Sequence, residues 1–306
     1  MGTATQDTGS NELKDSLASG DHIVHLNGID LHYCVCGDGP LLILISPGWG
    51  VGSGYLQRGF NFLRERFRLI FVDTRGSGLS SRPVDHKKMS SNDMADDLEA
   101  LREYLGISTV RLMGHSNSGA IALSYAQRYQ DRVDKLVLVD SQMLGFSAGG
   151  ETQAFLEARA EDPRYKPAVQ AAIGHFSGKA EPLASDAELS AFVAKILPLY
   201  LHSPEKHLAL AREQLLVGQI SLYAFEAQNA ADEAAGSNQA ALLDHIRAPA
   251  LVMVGRHDWI CPVPVAERLH AGIDNSRLVM FEESGHMPWI EEPEKFEAEL
   301  IRFLEE

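Results

Sequence analysis

The run Leu112-Met113-Gly114-His115-Ser116-Asn117-Ser118-Gly119-Ala120 sets a serine among small neighbours where a strand-like stretch gives way to a helical one. A serine on such a turn is exposed for attack on a carbonyl, and its strained backbone tolerates little bulk two residues either side. Gly114 meets that need on one side, and Ser118 stands where glycine is expected on the other. The helix start aims its positive end and the Asn117 amide at developing negative charge. Two plainer readings compete. Ser116 could be an ordinary helix N-cap, or the motif could be shifted to make Ser118 the nucleophile.

A serine hydroxyl is a weak nucleophile at neutral pH and needs a base, which needs an orienting acid. Gly255-Arg256-His257-Asp258 follows a strand-like run at 250–254, and Ser284-Gly285-His286-Met287-Pro288 follows another at 278–281. Ser116, His286 and Asp258 thus all fall at strand C-terminal ends, where ligand sites of parallel sheets collect. In this set Ser116 is nucleophile, His286 base and Asp258 acid. Asp140 also closes a strand, at 136–139, and is the rival acid. His257 comes one residue early for that role, and His115 is expected to pack beneath the turn.

The oxyanion of such a reaction needs two donors. Asn117 offers its backbone amide, and the Gly-rich stretch 47–54 offers a second from Gly48 or Trp49. Those glycines let the chain pass close to a substrate carbonyl. They do not spell a nucleotide site: neither G-x-x-x-x-G-K-[ST] nor G-x-G-x-x-G with a downstream acid is present. No cofactor and no metal are expected.

The elements that must hold these residues alternate. Strand-like runs at 22–26 and 29–36 flank Asn27-Gly28, a hairpin signal. LLILI at 41–45 reads as a strand buried on both faces, and 69–72, 110–113, 136–139, 250–254 and 278–281 complete eight candidates. Helices are expected at 91–105, 117–129, 263–269 and 293–304. The first carries Met94, Leu98, Leu101 and Leu105 on one stripe and closes at Gly106. This alternation predicts an α/β fold, a mainly parallel eight-stranded sheet flanked by helices. It stops between 143 and 246, an Ala-rich stretch broken at Pro163, Pro167, Pro182, Pro198 and Pro204. The expected organisation is a flexible arm over 1–20, a core in two parts (21–142 and 247–306), and an inserted helical cap over 143–246.

Across 306 residues, 27 Lys+Arg face 42 Asp+Glu, a net charge of −15. Such an excess repels phosphate backbones and anionic lipid, so nucleic acid and membrane are poor partners. No apolar run approaches the roughly 18–20 residues that span a bilayer. The first twenty residues lack the basic start and apolar stretch of a secretion signal. Cys34 and Cys36, two apart among three cysteines, suit neither a C-x-x-C site nor a disulfide framework. A cytoplasmic protein with free thiols is expected, its partner a small-molecule substrate; oligomeric state is left open.

The chain resembles α/β-hydrolase fold proteins from about residue 21 onward. The likeness rests on VDTRGSGLS at 72–80, GHSNSGAIALSYAQRYQDRVDKLVLVDS at 114–141, VGRHDWICP at 254–262 and ESGHMPWIEEPEKF at 283–296. It implies the roles above for Ser116, Asp258 and His286, and a structural turn at Asp73 and Arg75. Ser46–Leu56 is similar to the loop of proline iminopeptidases, but Ser46 and Pro47 replace their His-Gly and Trp49 replaces a proline. Glu226 is the sole faint substitute for the acid that holds a free amino terminus there. Relatives with dehalogenase or epoxide hydrolase chemistry carry aspartate where Ser116 stands.

The expected substrate is a small or medium apolar ester or lactone, lying between core and cap against Trp49, Phe146, Tyr200, Tyr223, Phe225, Trp259 and Met287. Three alternatives use the same fold. One is a proline iminopeptidase-like aminopeptidase; another is a cofactor-free oxygenase, isomerase or cyclase with His286 as base and no acyl-enzyme; the third is a ligand-binding receptor.

Overall fold

A computed structural model of the chain describes residues 16–306. Residues 1–15 of the expected arm lie outside the described residues. The rest of the arm departs from expectation: Ser16 is buried, its carbonyl accepts the Tyr33 hydroxyl at 2.9 Å, and the first strand begins at Gly20.

Eight strands form one sheet: β1 (Gly20–Leu26), β2 (Ile29–Cys36), β3 (Leu41–Ile45), β4 (Arg68–Val72), β5 (Val110–His115), β6 (Val133–Val139), β7 (Ala250–Gly255) and β8 (Ser276–Phe281). Their order is β1-β2-β4-β3-β5-β6-β7-β8. Only β2 runs against the others, pairing antiparallel with both β1 and β4. The remaining ladders are parallel. Asn27 (φ 49°) and Gly28 (φ 77°) both take the left-handed conformation that a two-residue hairpin loop requires.

A parallel sheet must be covered on both faces, which is why its strands read as unbroken apolar runs. In β3, Ile43 and Ile45 join Ile70 and Leu112 on one face, while Leu42 and Leu44 join Phe71 and Met113 on the other. All eight are essentially sealed from water, and each such side chain contributes roughly 1.5–3 kcal/mol by its burial.

The covering helices are α1 (Gly54–Gly59), α2 (Ser91–Tyr104) and α3 (Asn117–Arg128) in the first part of the chain. A reciprocal capping box starts α2: the Ser90 side chain accepts from the Asp93 N–H, and the Asp93 carboxylate accepts from the Ser90 N–H. Between β6 and β7 the chain inserts α4 (Glu151–Arg159), α5 (Lys166–Phe176), α6 (Asp186–Ile196), α7 (Pro204–Leu215) and α8 (Leu222–Ala235). Pro167 and Pro204 sit in the first turns of α5 and α7, where a missing N–H costs nothing. α9 (Val263–Gly272), α10 (Pro288–Glu291) and α11 (Pro293–Glu305) complete the fold. No helix among the described residues is long and apolar enough to cross a membrane.

The Asp73-Thr74-Arg75 turn after β4 is a structural junction. Asp73 accepts from His32 Nδ1 (2.9 Å), Ser53 N–H (2.6 Å) and Leu79 N–H (2.9 Å), tying three segments to one buried carboxylate. Arg75 makes a buried two-pronged pair with Asp97 of α2, at 2.7 and 2.6 Å.

Candidate active site

β5 ends at His115 and α3 starts at Asn117, which leaves Ser116 alone on the turn at φ 59°, ψ −127°. That conformation costs a non-glycine residue about 1–3 kcal/mol. It is held by three backbone bonds of 3.0 Å: Ser116 N–H to the Val139 carbonyl, and the Gly119 and Gln142 N–H groups to the Ser116 carbonyl. Gly114 leaves no room for a side chain, since a Cβ would fall 2.4 Å from the Ser118 carbonyl oxygen. Ser118 replaces glycine by making itself part of the turn. Its hydroxyl accepts from the His115 N–H (2.9 Å) and donates to the His115 carbonyl (2.8 Å). Fully buried and doubly engaged, Ser118 is no nucleophile, which corrects the shifted reading. The N-cap reading fails as well, because the Ser116 side chain makes no capping bond.

Asp258 lies in the loop after β7, and His286 in the loop between β8 and α10. His286 Nδ1 lies 2.7 Å from Asp258 Oδ2, with both side chains buried. The other Asp258 oxygen accepts the Ile260 and Cys261 N–H groups at 2.9 and 3.2 Å. Since the carboxylate can only accept, Nδ1 carries a hydrogen, and the neutral imidazole in this orientation has its lone pair on Nε2. Asp140, fully buried after β6, accepts the Gly255 N–H at 2.8 Å with Oδ1, and its Oδ2 has no partner among the described groups. Burial and the neighbouring Asp258 charge push the Asp140 carboxyl well above the usual carboxylate range. Cys261 Sγ, His286 and Asp258 lie within 4.8 Å of one another, a spacing a metal could use. The Nδ1–Oδ2 bond already engages two of those three groups, and burial pushes the Cys261 thiol well up, so it stays protonated.

His115 lies beneath the turn and touches His286. Its Nδ1 accepts from the Tyr55 hydroxyl (2.9 Å), and its Nε2 donates to the His286 carbonyl (3.0 Å). Burial, aided by His286, holds its imidazole well below the ordinary histidine range, so it stays neutral.

The loop after β3 approaches the same place. The Gly48 N–H does not face a substrate: it donates to Asn117 Oδ1 at 3.1 Å. Gly48 is therefore corrected as an oxyanion donor. The Trp49 N–H makes no hydrogen bond among the described residues. As the first residue of α3, Asn117 has a backbone N–H with no partner inside the helix. Its side chain accepts from Gln228 Nε2 (3.0 Å) and donates to Gln142 (2.8 Å).

Ser116, His286, Trp49, Tyr200, Phe225, Trp259 and Met287 line one cavity of about 520 Å³ between the sheet's C-terminal edge and the inserted helices. Its wall is overwhelmingly apolar, with Leu156, Leu189, Phe192 and Ile196 from α4 and α6. No Asp or Glu is among the described residues that line it.

A family model described as alpha/beta hydrolase fold matches residues 41–293. The chain belongs to the α/β-hydrolase fold family. AB hydrolase superfamily protein YisY of Bacillus subtilis is 30% identical over 269 residues, covering 85% of this chain and 90% of its own. Proline iminopeptidase PfmaB of Pestalotiopsis fici is 27% identical over 277 residues, 88% of this chain and 93% of its own. Among solved structures, an esterase from Exiguobacterium antarcticum superposes with a TM-score of 0.67 at 24% identity, covering 94% of this chain and all of that one.

In this α/β-hydrolase two expected wall residues lie elsewhere. Phe146 packs against the core on the α2–α3 side. Tyr223 lies under the Arg82 guanidinium, 4.4 Å from its ring centre, with its hydroxyl 3.0 Å from His86 Nδ1. Neither lines the cavity. The α6 residues that do were missed, although Leu189, Phe192, Val193 and Ile196 repeat at i, i+3, i+4 and i+7 and mark one apolar face.

Proposed function

We propose that the chain is a serine hydrolase that cleaves an ester or lactone of a small to medium apolar acid through an acyl-enzyme. One observation carries the reading: Ser116 and His286 open onto the same apolar cavity while Asp258 grips the far side of the imidazole. The likeness to an esterase supports it.

In this reading the Nε2 lone pair of His286 takes the Ser116 proton as Oγ attacks the carbonyl carbon. Negative charge gathers on the carbonyl oxygen, where the Trp49 and Asn117 N–H groups receive it, each worth about 2.7–4 kcal/mol. His286 hands the proton to the departing alkoxide, and an alcohol leaves. Water, deprotonated in turn by His286, attacks the acyl-enzyme and releases the acid. Residues 143–246 act as a cap that shapes the acyl pocket. An apolar wall without a carboxylate suits an uncharged acyl group. It gives a free amino terminus no counter-charge, and Glu226, the candidate for that task in an exopeptidase, is exposed and off the cavity.

The test is incubation with a fluorophosphonate, then intact mass and peptide mapping, on wild type and Ser116→Ala. One adduct on Ser116, absent from the variant, together with turnover of short-chain esters, is expected. A folded wild type that takes no adduct, or turnover that survives Ser116→Ala, overturns the reading.

A further inference from the structure

We propose that Gln228, a residue of the inserted helix α8, is a positioning residue for the oxyanion-binding loop. It acts through Asn117 on the Gly48–Trp49 backbone. The inference rests on the acyl-transfer reading above and adds to it a part of the insertion that never touches substrate.

The polarity of each link is fixed. A backbone N–H can only donate, so the Asn117 atom 3.1 Å from Gly48 N is its oxygen, and the Asn117 amide faces Gln142 Oε1. That same oxygen receives Gln228 Nε2 at 3.0 Å. The second Nε2 hydrogen points to Ser91 Oγ at 3.3 Å. Ser91 in turn donates its hydroxyl to Asp232 Oδ2 (2.8 Å) and its N–H to Asp232 Oδ1 (2.7 Å), so its oxygen is open to accept. Asp232 lies one turn beyond Gln228 on α8. The chain of bonds therefore runs from a carboxylate of the insertion to the amide next to Trp49, with no link that reads in either direction.

The arrangement is costly. Gln228 is wholly buried, and its Oε1 has no donor among the described residues. It sits against Gly48 so tightly that a Cβ there would lie 2.3 Å from Oε1. A buried amide oxygen without a partner is expensive, and an apolar side chain of similar length would fill the same space without that penalty. What such a residue would lack is the NH2 group that holds Asn117. With the Gly48 N–H pinned, the Trp49 N–H is held in one direction before substrate arrives, and preorganised donors of this kind lower the barrier without improving ground-state binding.

The test uses Gln228→Met, which keeps length and apolar volume but donates nothing. Steady-state kinetics with p-nitrophenyl butyrate and hexanoate should show kcat lower by about tenfold or more for both, with KM within about twofold. Affinity for an alkyl boronic acid, which mimics the tetrahedral intermediate, should fall by the same factor as kcat/KM. Circular dichroism reports folding. If Gln228→Met does not fold, Ser91→Ala, which removes one Nε2 acceptor, should show the same kcat loss at constant KM. Wild-type kcat in the folded variant overturns the inference, as does a change confined to KM and different for the two esters. A wild type that neither labels at Ser116 nor turns over either ester removes the acyl-transfer reading, and this inference with it.

Discussion

Asp140 and Asp258 present their carboxyl groups to one another in the same buried corner, and only Asp258 reaches His286. The pair divides its hydrogen bonds unequally. Among the described residues, Asp258 accepts from His286, Ile260 and Cys261, while Asp140 accepts only from Gly255 and its second oxygen has no partner. Two adjacent carboxylates do not both carry charge away from water. The proton therefore belongs on Asp140, the residue with a bare oxygen.

Substitution of each acid separates their roles. Asp258→Asn should lower kcat by about 10⁴-fold, because the asparagine amide forces the wrong imidazole tautomer. Asp140→Asn supplies a permanent donor in place of the proton and should stay within a few-fold of wild type. Steady-state ester hydrolysis decides, and a collapse of Asp140→Asn to the level of Asp258→Asn would mean that Asp140 is the working acid.

The same proton shapes the stability curve. The Asp140 carboxyl is raised in the folded chain, so above the ordinary carboxylate range the native state holds a proton that the unfolded state has released. Stability from this group then falls as pH rises towards the folded value. Asparagine cannot lose a proton. The Tm of Asp140→Asn relative to wild type should climb as pH rises above about 4, as read by scanning calorimetry. A difference that does not change with pH would show Asp140 ionised in the fold.

The backbone at Ser116 offers a stability gain at the expense of chemistry. Glycine adopts φ 59°, ψ −127° without strain. Ser116→Gly should therefore be more stable than Ser116→Ala by about 1 kcal/mol, with both inactive. Chemical denaturation of the two variants measures the gap, and equal midpoints would mean that the turn stores no strain.

Phe192 and His175 line both the main cavity and a second hollow between α5 and α6. Removing the Phe192 ring should join the two spaces. Phe192→Ala is expected to raise kcat/KM for decanoate over butyrate esters by about tenfold, with labelling at Ser116 undiminished. An unchanged chain-length profile would place the acyl group elsewhere in the cavity.

Most of the sheet was legible because parallel strands advertise themselves: LLILI has no polar residue to lend a solvent face, and the strand ends then carry Ser116, Asp258 and His286 to one edge. The loops after those ends supplied motif context that short-range chemistry explains. Ser118 was ambiguous for a physical reason, since nothing in sequence shows that its hydroxyl closes on both polar groups of His115. Gly48 misled in the same way, because its amide is claimed by Asn117, a residue 69 positions away. Phe146 and Tyr223 were assigned to the wall on aromatic character alone, which does not distinguish core packing from a pocket. The α6 stripe had the required periodicity, but periodicity says that a face is buried and not what lies opposite.

At Gly50 the core loop and the insertion touch through bare backbone. A methyl group there would lie 2.2 Å from the Ser221 carbonyl oxygen, and the Ser221 N–H donates to the Gly50 carbonyl at 3.0 Å. The start of α8 is thus fixed to the loop after β3, and α6 is tied to the same seam: Asp186 Oδ1 accepts the Leu222 N–H at 2.8 Å and Ser190 Oγ the Ile220 N–H at 2.9 Å. For anyone recombining related enzymes, the insertion is not one interchangeable block. A crossover that imports residues 151–196 from a relative must keep acceptors at 186 and 190 for the N–H groups of 222 and 220, and one that imports 216–235 must preserve the close backbone fit against Gly50.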